Sequence, residues 1–140
     1  HFEVGRVHCD VSTTNIARDS YQHVRLFDFG VSARLKPAKN TAGHSTEAGT
    51  SVAGYNAGFA ADEQMGPRRR VRKASDQASL AKVALAALCG MADGGATIET
   101  ARNKGISADV IAVLARATSV EIGQRFVTSA AFVAALKALV

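Results

Sequence analysis

The sequence predicts an α+β domain that is mostly helical and carries a small β hairpin near its start. Three observations lead there. Two short β-like runs, Asn15-Ile16-Ala17-Arg18 and His23-Val24-Arg25-Leu26-Phe27, are joined by Asp19-Ser20-Tyr21-Gln22, a connection of hairpin length. Residues 75–89 repeat apolar side chains at helical spacing. Two further helical patterns fill the C-terminal third, and neither an internal repeat nor a linker interrupts them.

In chain order, residues 1–7 read as the tail of a helix and an extended lead-in, with Val7 apolar and Gly5 permitting a turn. Residues 31–59 are rich in Gly, Ser, Thr, Ala and Asn without a period, and read as a long loop, which in a domain of this size is functional or disordered. In the stretch 75–89, Ser75 suits an N-cap and Asp76 the positive end of the helix dipole. Leu80, Val83, Ala84, Ala87 and Leu88 recur at helical spacing, and Ala81, Leu85 and Ala86 leave little polar face, as in a buried helix. Gly90 is the natural stop. Asp93-Gly94-Gly95 marks a turn. A helix begins near Ser107, with Val110, Ile111, Val113 and Leu114 apolar and Arg116 near its end. The last helix is capped by Thr128 or Ser129 and lines one face with Phe132, Val133, Leu136 and Leu139.

The 140 residues make one domain, long enough to bury a core, and a hydrophobic content of 47% with 21% charged residues reads as globular. No apolar run approaches the ~18 residues of a membrane span. The start, His1-Phe2-Glu3-Val4-Gly5-Arg6, has no signal-peptide pattern and no Met, and reads as a piece of a longer chain or an incomplete gene product. Much of the net charge of +5 sits in Arg68, Arg69, Arg70, Arg72 and Lys73. No aromatic residue interleaves with that run, so it reads as a solvated basic loop, and no nucleic-acid partner is expected. Cys9 and Cys89 are too few and too far apart for a disulfide framework or a zinc site, which fits a reducing, cytoplasmic setting.

The chemistry lies in His8-Cys9-Asp10-Val11-Ser12-Thr13-Thr14-Asn15 and in Asp28-Phe29-Gly30. Singly, Asp10, Asn15 and Asp28 are ordinary turn residues. Together they supply one carboxylate to orient a hydroxyl and two hard oxygen donors for Mg²⁺, as transfer of a phosphoryl group from Mg-ATP requires. The hairpin between them brings Asn15 and Asp28 to one edge. This set resembles the catalytic and metal-binding loops of protein kinases.

The resemblance continues along the chain. Gly58-Phe59-Ala60-Ala61-Asp62-Glu63-Gln64 is similar to the end of a kinase activation segment, and Ser75-Asp76-Gln77-Ala78-Ser79-Leu80 to the start of the central kinase helix. Arg116-Ala117-Thr118-Ser119 and Gln124-Arg125-Phe126 resemble the C-terminal part of bacterial serine/threonine kinases. The resemblance implies a C-terminal kinase lobe over residues 1–140, with catalytic and Mg-binding loops in 1–30, an activation segment in 31–63 and a helical part in 75–140. It implies ATP and Mg²⁺ as cofactors, a protein substrate with Ser or Thr, and an N-terminal lobe for full ATP binding. Asp10 and Asn15 would be catalytic, Asn15 and Asp28 would hold the metal, and Ser12 and Gly30 would line the nucleotide. His8 and Phe29 would stack, Asp76 would hold the catalytic-loop backbone, and Glu63 would pair with Arg125.

The chain departs from the family pattern in several places. It has no glycine-rich phosphate loop and no strand with the paired Lys. Ser12 stands where Lys is usual, Cys9 where Arg is usual and Asp62 where Pro is usual. Without that Arg, phosphorylation at Thr41, Ser45, Thr46 or Thr50 would lack its usual local partner. Gly49-Thr50 and Asn56 compete for the position of one segment Thr. Two other functions compete with the kinase reading. One is an inactive kinase-like lobe serving as a binding or scaffold module. The other is a small-molecule phosphotransferase of the aminoglycoside or choline kinase type, which shares His-x-Asp-x₄-Asn but usually lacks Asp-Phe-Gly.

Overall fold

Six short strands and five helices are present in the computed structural model, which describes residues 5–34, 50–51, 54–65 and 70–139. In order they are β1 (Arg6–Val7), a 3-10 turn (Thr13–Asn15), β2 (Ile16–Arg18), β3 (Val24–Leu26), β4 (Ala33–Arg34), β5 (Thr50–Ser51), α1 (Asp62–Met65), β6 (Arg70–Val71) and α2 (Lys73–Cys89). Then come α3 (Ile98–Asn103), α4 (Ala108–Ala117), a second 3-10 turn (Ile122–Gln124) and α5 (Ser129–Lys137). The strands pair antiparallel in three two-stranded ladders, β1 with β4, β2 with β3, and β5 with β6. The architecture is α+β, as the sequence predicts.

The β2–β3 hairpin pairs Ile16 with Leu26, Ala17 with Arg25 and Arg18 with Val24. Asp19 organises its turn: Oδ1 accepts from Tyr21 N at 3.0 Å and from His23 N at 2.8 Å. The His23 amide foremost, with Arg25 and Tyr21 behind it, holds this carboxyl below its usual range.

Helix α2 carries the other elements. It starts two residues ahead of the expected cap, because Arg72 is the extended residue at its entry. Ser75 lies inside the first turn, where its hydroxyl accepts from Arg72 N at 3.0 Å and donates to Glu63 Oε1 at 2.7 Å. Gly90 ends the helix in the left-handed conformation, φ 65°, which its missing Cβ permits. The buried face also differs from the apolar pattern. Ala78, Ala81, Leu85, Ala86 and Cys89 are buried together with Ser75, Gln77 and Ser79, whereas Ala87 and Leu88 are exposed. The polar side chains belong inside because they have partners: Gln77 donates to Phe126 O and accepts from Phe126 N, both at 3.1 Å.

The main core joins four helices through Ala81, Leu85, Cys89, Ala101, Val110, Ile111, Leu114, Ala117 and Phe132. Helix α4 is capped by Ser107, which accepts from Val110 N at 3.4 Å. For α5 the cap is Thr128, accepting from Ala131 N at 3.0 Å. Phe132 of the expected α5 face is buried and Val133 and Leu136 pack on the core, but Leu139 lies past the helix end, 40% exposed. Helix α3 was not expected. It starts at Thr97, whose hydroxyl accepts from Thr100 N at 3.0 Å, and it buries Ala101 completely.

A second, smaller cluster of Val7, Cys9, Ala33 and Val71 seals the ladders. Strand β1 is the extended part of the expected lead-in, and residues 1–4 lie outside the described residues. The expected loop 31–59 contributes β4 and β5; its residues 35–49 and 52–53, with Thr41, Ser45, Thr46 and Gly49, lie outside the described residues. Of the basic run, Arg70 belongs to β6 and Arg72 and Lys73 form the entry of α2, in place of a loop, while Arg68 and Arg69 lie outside the described residues. Among the described residues no helix is long and apolar enough to cross a membrane.

Candidate active site around Asp10

The loop after β1 is shaped by a carboxylate from α2. Asp76 Oδ2 accepts from His8 N at 2.7 Å and Oδ1 from Cys9 N at 2.9 Å. This fork holds Cys9 at φ 71°, a left-handed conformation that a residue with a Cβ adopts at a cost. Burial pushes the Asp76 carboxyl above its usual value, and the two amide donors offset only part of that. Gln64 of α1 closes the loop from the other side, with Nε2 donating to Cys9 O at 2.9 Å and Oε1 accepting from Ala61 N at 3.0 Å. Burial also pushes the Cys9 thiol up to about 11.

His8 is buried and connects the two loops. Its Nε2 lies 2.8 Å from Phe27 O and its Nδ1 3.3 Å from Asp10 N. A carbonyl only accepts and an amide N–H only donates, so this pattern requires the neutral tautomer with the proton on Nε2. The ring meets Phe29 edge-on, centroids 4.5 Å apart.

Asp10 stands between two donors. Asn15 Nδ2 donates to Asp10 Oδ2 at 2.9 Å and to Asp10 O at 2.9 Å, and Asn56 N donates to Asp10 Oδ1 at 2.8 Å. Both amide hydrogens of Asn15 thus go to Asp10, which leaves the amide oxygen for a cation. Asn15 O accepts from Phe27 N at 2.8 Å, so the hairpin sets Asp28 one residue from Asn15's own partner. Asp28 is exposed, with φ 57°, and its Oδ1 accepts from Gly30 N at 3.0 Å. Ser12 is fully buried, with its hydroxyl 2.9 Å from Thr14 Oγ1 and no surface left to meet a ligand. Of the two residues competing for the segment position, Asn56 meets Asp10, while Thr50 pairs with Val71 in the β5–β6 ladder.

The oxygen donors suit Mg²⁺, which takes one or two protein ligands and completes its shell with water and phosphate oxygens. Asn15 Oδ1 and the Asp28 carboxylate are a set of that kind. Among the described residues no cluster of three or more His, Cys, Asp or Glu side chains could hold a metal ion.

The helical part grips the 54–65 segment through Glu63 and Arg125. Arg125 is buried; its Nη1 and Nη2 donate to the two Glu63 oxygens at 2.8 and 2.9 Å, Nη1 also donates to Ala74 O at 2.9 Å, and Nε donates to Ser119 O at 2.7 Å. Burial opposes the charge on Glu63, but the hydrogen bonds from Arg125 and Ser75 outweigh it and hold the carboxyl below its usual range.

Two contributors, Gln64 and Lys82, have no role that the sequence assigns. Gln64 lies inside the Ala-Asp-Glu-Gln motif, yet nothing in the pattern gives it a role. Asn56, which the sequence sets against Gly49-Thr50 for one segment position, meets Asp10 through its backbone, a contact that no side-chain pattern signals. Lys82 sits on an apolar helix and donates to Ala60 O, a contact that only the fold creates.

Scanned against models of protein families and searched against curated proteins, the chain matched none.

Proposed function

We propose that the chain is the helical lobe of a protein kinase of the bacterial serine/threonine type, transferring the γ-phosphoryl group of ATP to a Ser or Thr hydroxyl of a protein. The observation that carries this reading is the Asp10 carboxylate, held by Asn15 Nδ2 at 2.9 Å and Asn56 N at 2.8 Å. It is supported by the Asp76 fork, the Glu63–Arg125 pair and the His8–Phe29 contact, all at positions the sequence motifs nominate.

In this reading Asp10 accepts a hydrogen bond from the substrate hydroxyl and takes its proton as the new O–P bond forms and the bond to the ADP oxygen breaks. Asn15 fixes the rotamer of Asp10 through one face of its amide and offers Oδ1 on the other. Asn15 Oδ1 and Asp28 would hold Mg²⁺, which when bound neutralises charge on the phosphate oxygens. Ser12 supplies no cation, so that neutralisation falls on the metal.

The test is thermal unfolding with ATP, with Mg-ATP, and with neither. Mg-ATP raises the wild-type melting temperature, and ATP with a chelator raises it less. Asp28→Ala and Asp28→Asn lose the Mg-dependent part; Asn tolerates the left-handed backbone at φ 57°, so its loss reports the carboxylate and not strain. Equal shifts in wild type and both variants, or none in any, would remove the metal-nucleotide assignment.

A further inference from the structure

We infer that Lys82 is a positioning residue for Asp10, acting through the turn between Asn56 and Asp62; its bearing on catalysis rests on the reading proposed above. Lys82 projects from α2, 23% exposed. Its Nζ donates to Ala60 O and lies 3.7 Å from Asp62 Oδ1. Ala60 and Ala61 are themselves buried.

Ala60 links this contact to the site through the two peptide groups on either side of its Cα. Its carbonyl takes the Lys82 ammonium, and its own N–H donates to Asn56 O at 2.8 Å, alongside Phe59 N at 3.1 Å. Asn56 N in turn donates to Asp10 Oδ1 at 2.8 Å. Three successive hydrogen bonds therefore run from Lys82 to the Asp10 carboxylate, and between the two side chains the links are backbone groups of Ala60 and Asn56. The Asn56 side chain braces the same turn, Oδ1 accepting from Gly58 N at 3.1 Å.

A cation suits this position for two reasons. A charge-assisted bond to a buried carbonyl is stronger than a neutral one. The Asp62 carboxylate also keeps the ammonium aligned with the segment, although it is 43% exposed and adds little alone. Removing the ammonium leaves Ala60 O buried without a donor. The Asn56–Ala60 turn is then the part free to move, and with it the N–H that faces Asp10.

The experiment is residue-resolved amide exchange by NMR on the full chain. In Lys82→Met, which keeps the apolar stem, the Asn56 amide exchanges about tenfold faster, the scale set by loss of one charge-assisted hydrogen bond. The Val110 and Leu114 amides in α4 keep their rates. Lys82→Arg, which restores a cationic donor, retains the Asn56 protection. An unchanged Asn56 rate in Lys82→Met would overturn the inference. So would equal acceleration at Asn56, Val110 and Leu114, which would make Lys82 a general stabiliser only. A chain that passes this test and fails the Mg-ATP test overturns the phosphoryl-transfer reading while leaving the Lys82–Asn56 coupling standing.

Discussion

Arg125→Ala is the perturbation whose size follows most directly from the structure. The guanidinium is 1% exposed and its partner Glu63 15%, so neither charge has bulk water to fall back on. Its N–H groups serve four acceptors: two Glu63 oxygens, Ala74 O and Ser119 O. Alanine removes all of them and leaves a largely buried carboxylate without its cation, held by the Ser75 hydroxyl and its own backbone amide. Breaking a buried pair from one side costs about 3–5 kcal/mol, against about 0–1 kcal/mol for a surface pair. For a chain of this size that is a fall of about 10–17 °C in melting temperature. Far-UV circular dichroism with urea and thermal ramps reads it. Arg125→Lys, with one ammonium for a four-acceptor site, falls between wild type and alanine. Glu63→Ala combined with Arg125→Ala costs less than the sum of the two, because the pair acts as a unit. A loss below about 1 kcal/mol in Arg125→Ala would refute the reasoning, since the pair would then behave as a surface contact.

The same pair sets an acid limb. Glu63 is held below its ordinary 4.5 in the folded state, so its contribution is full above that value and is lost as the pH falls through the depressed folded pKa; Arg125→Ala should flatten this part of a stability-against-pH curve. At the alkaline end Cys9 acts in the opposite sense: the unfolded thiol loses its proton near 9.0 and the folded one near 11, so stability falls as the pH rises between them. A thiol reagent at neutral pH should find neither buried cysteine fast in the folded chain and both in urea. Asp76→Asn should cost about 1–3 kcal/mol by urea titration, because an amide can accept from only one of His8 N and Cys9 N and sets a donor against the other. Gly94→Ala should cost about 1–3 kcal/mol by the same assay, since the added Cβ would run into the Gly58 backbone and push the 56–60 turn away.

What could be read from the sequence was whatever depends on local spacing. The hairpin follows from two short runs and a four-residue turn, and the starts of α4 near Ser107 and of α5 at Thr128 or Ser129 follow from a hydroxyl placed before an apolar period. At the entry of α2 the sequence points to Ser75, which has the chemistry of a cap, whereas Arg72 stands at the entry. The fold spends that hydroxyl inside the first turn, where it links Arg72 N to Glu63. The buried face of α2 departs from its apolar pattern for a related reason. Apolar periodicity alone points to Ala87 and Leu88, but contacts with Phe126 and Glu63 draw Gln77 and Ser75 inside, and partners rather than hydropathy decide burial there. Helix α3 is six residues long and buries Ala101, too little apolar surface to set a period.

At the site the division is sharper. Asp10, Asn15 and Asp28 could be nominated from their chemistry and order along the chain, and Glu63, Asp76 and Arg125 only from the resemblance of their motifs to a known family. The contacts that hold them in place are largely made by backbone atoms: His8 N and Cys9 N on Asp76, Asn56 N on Asp10, and Ala60 O on Lys82. Backbone groups are the same at every residue, so the sequence cannot mark which of them faces a carboxylate. That is why Lys82 has no signature, and why its role has to be sought in the exchange rate of another residue's amide.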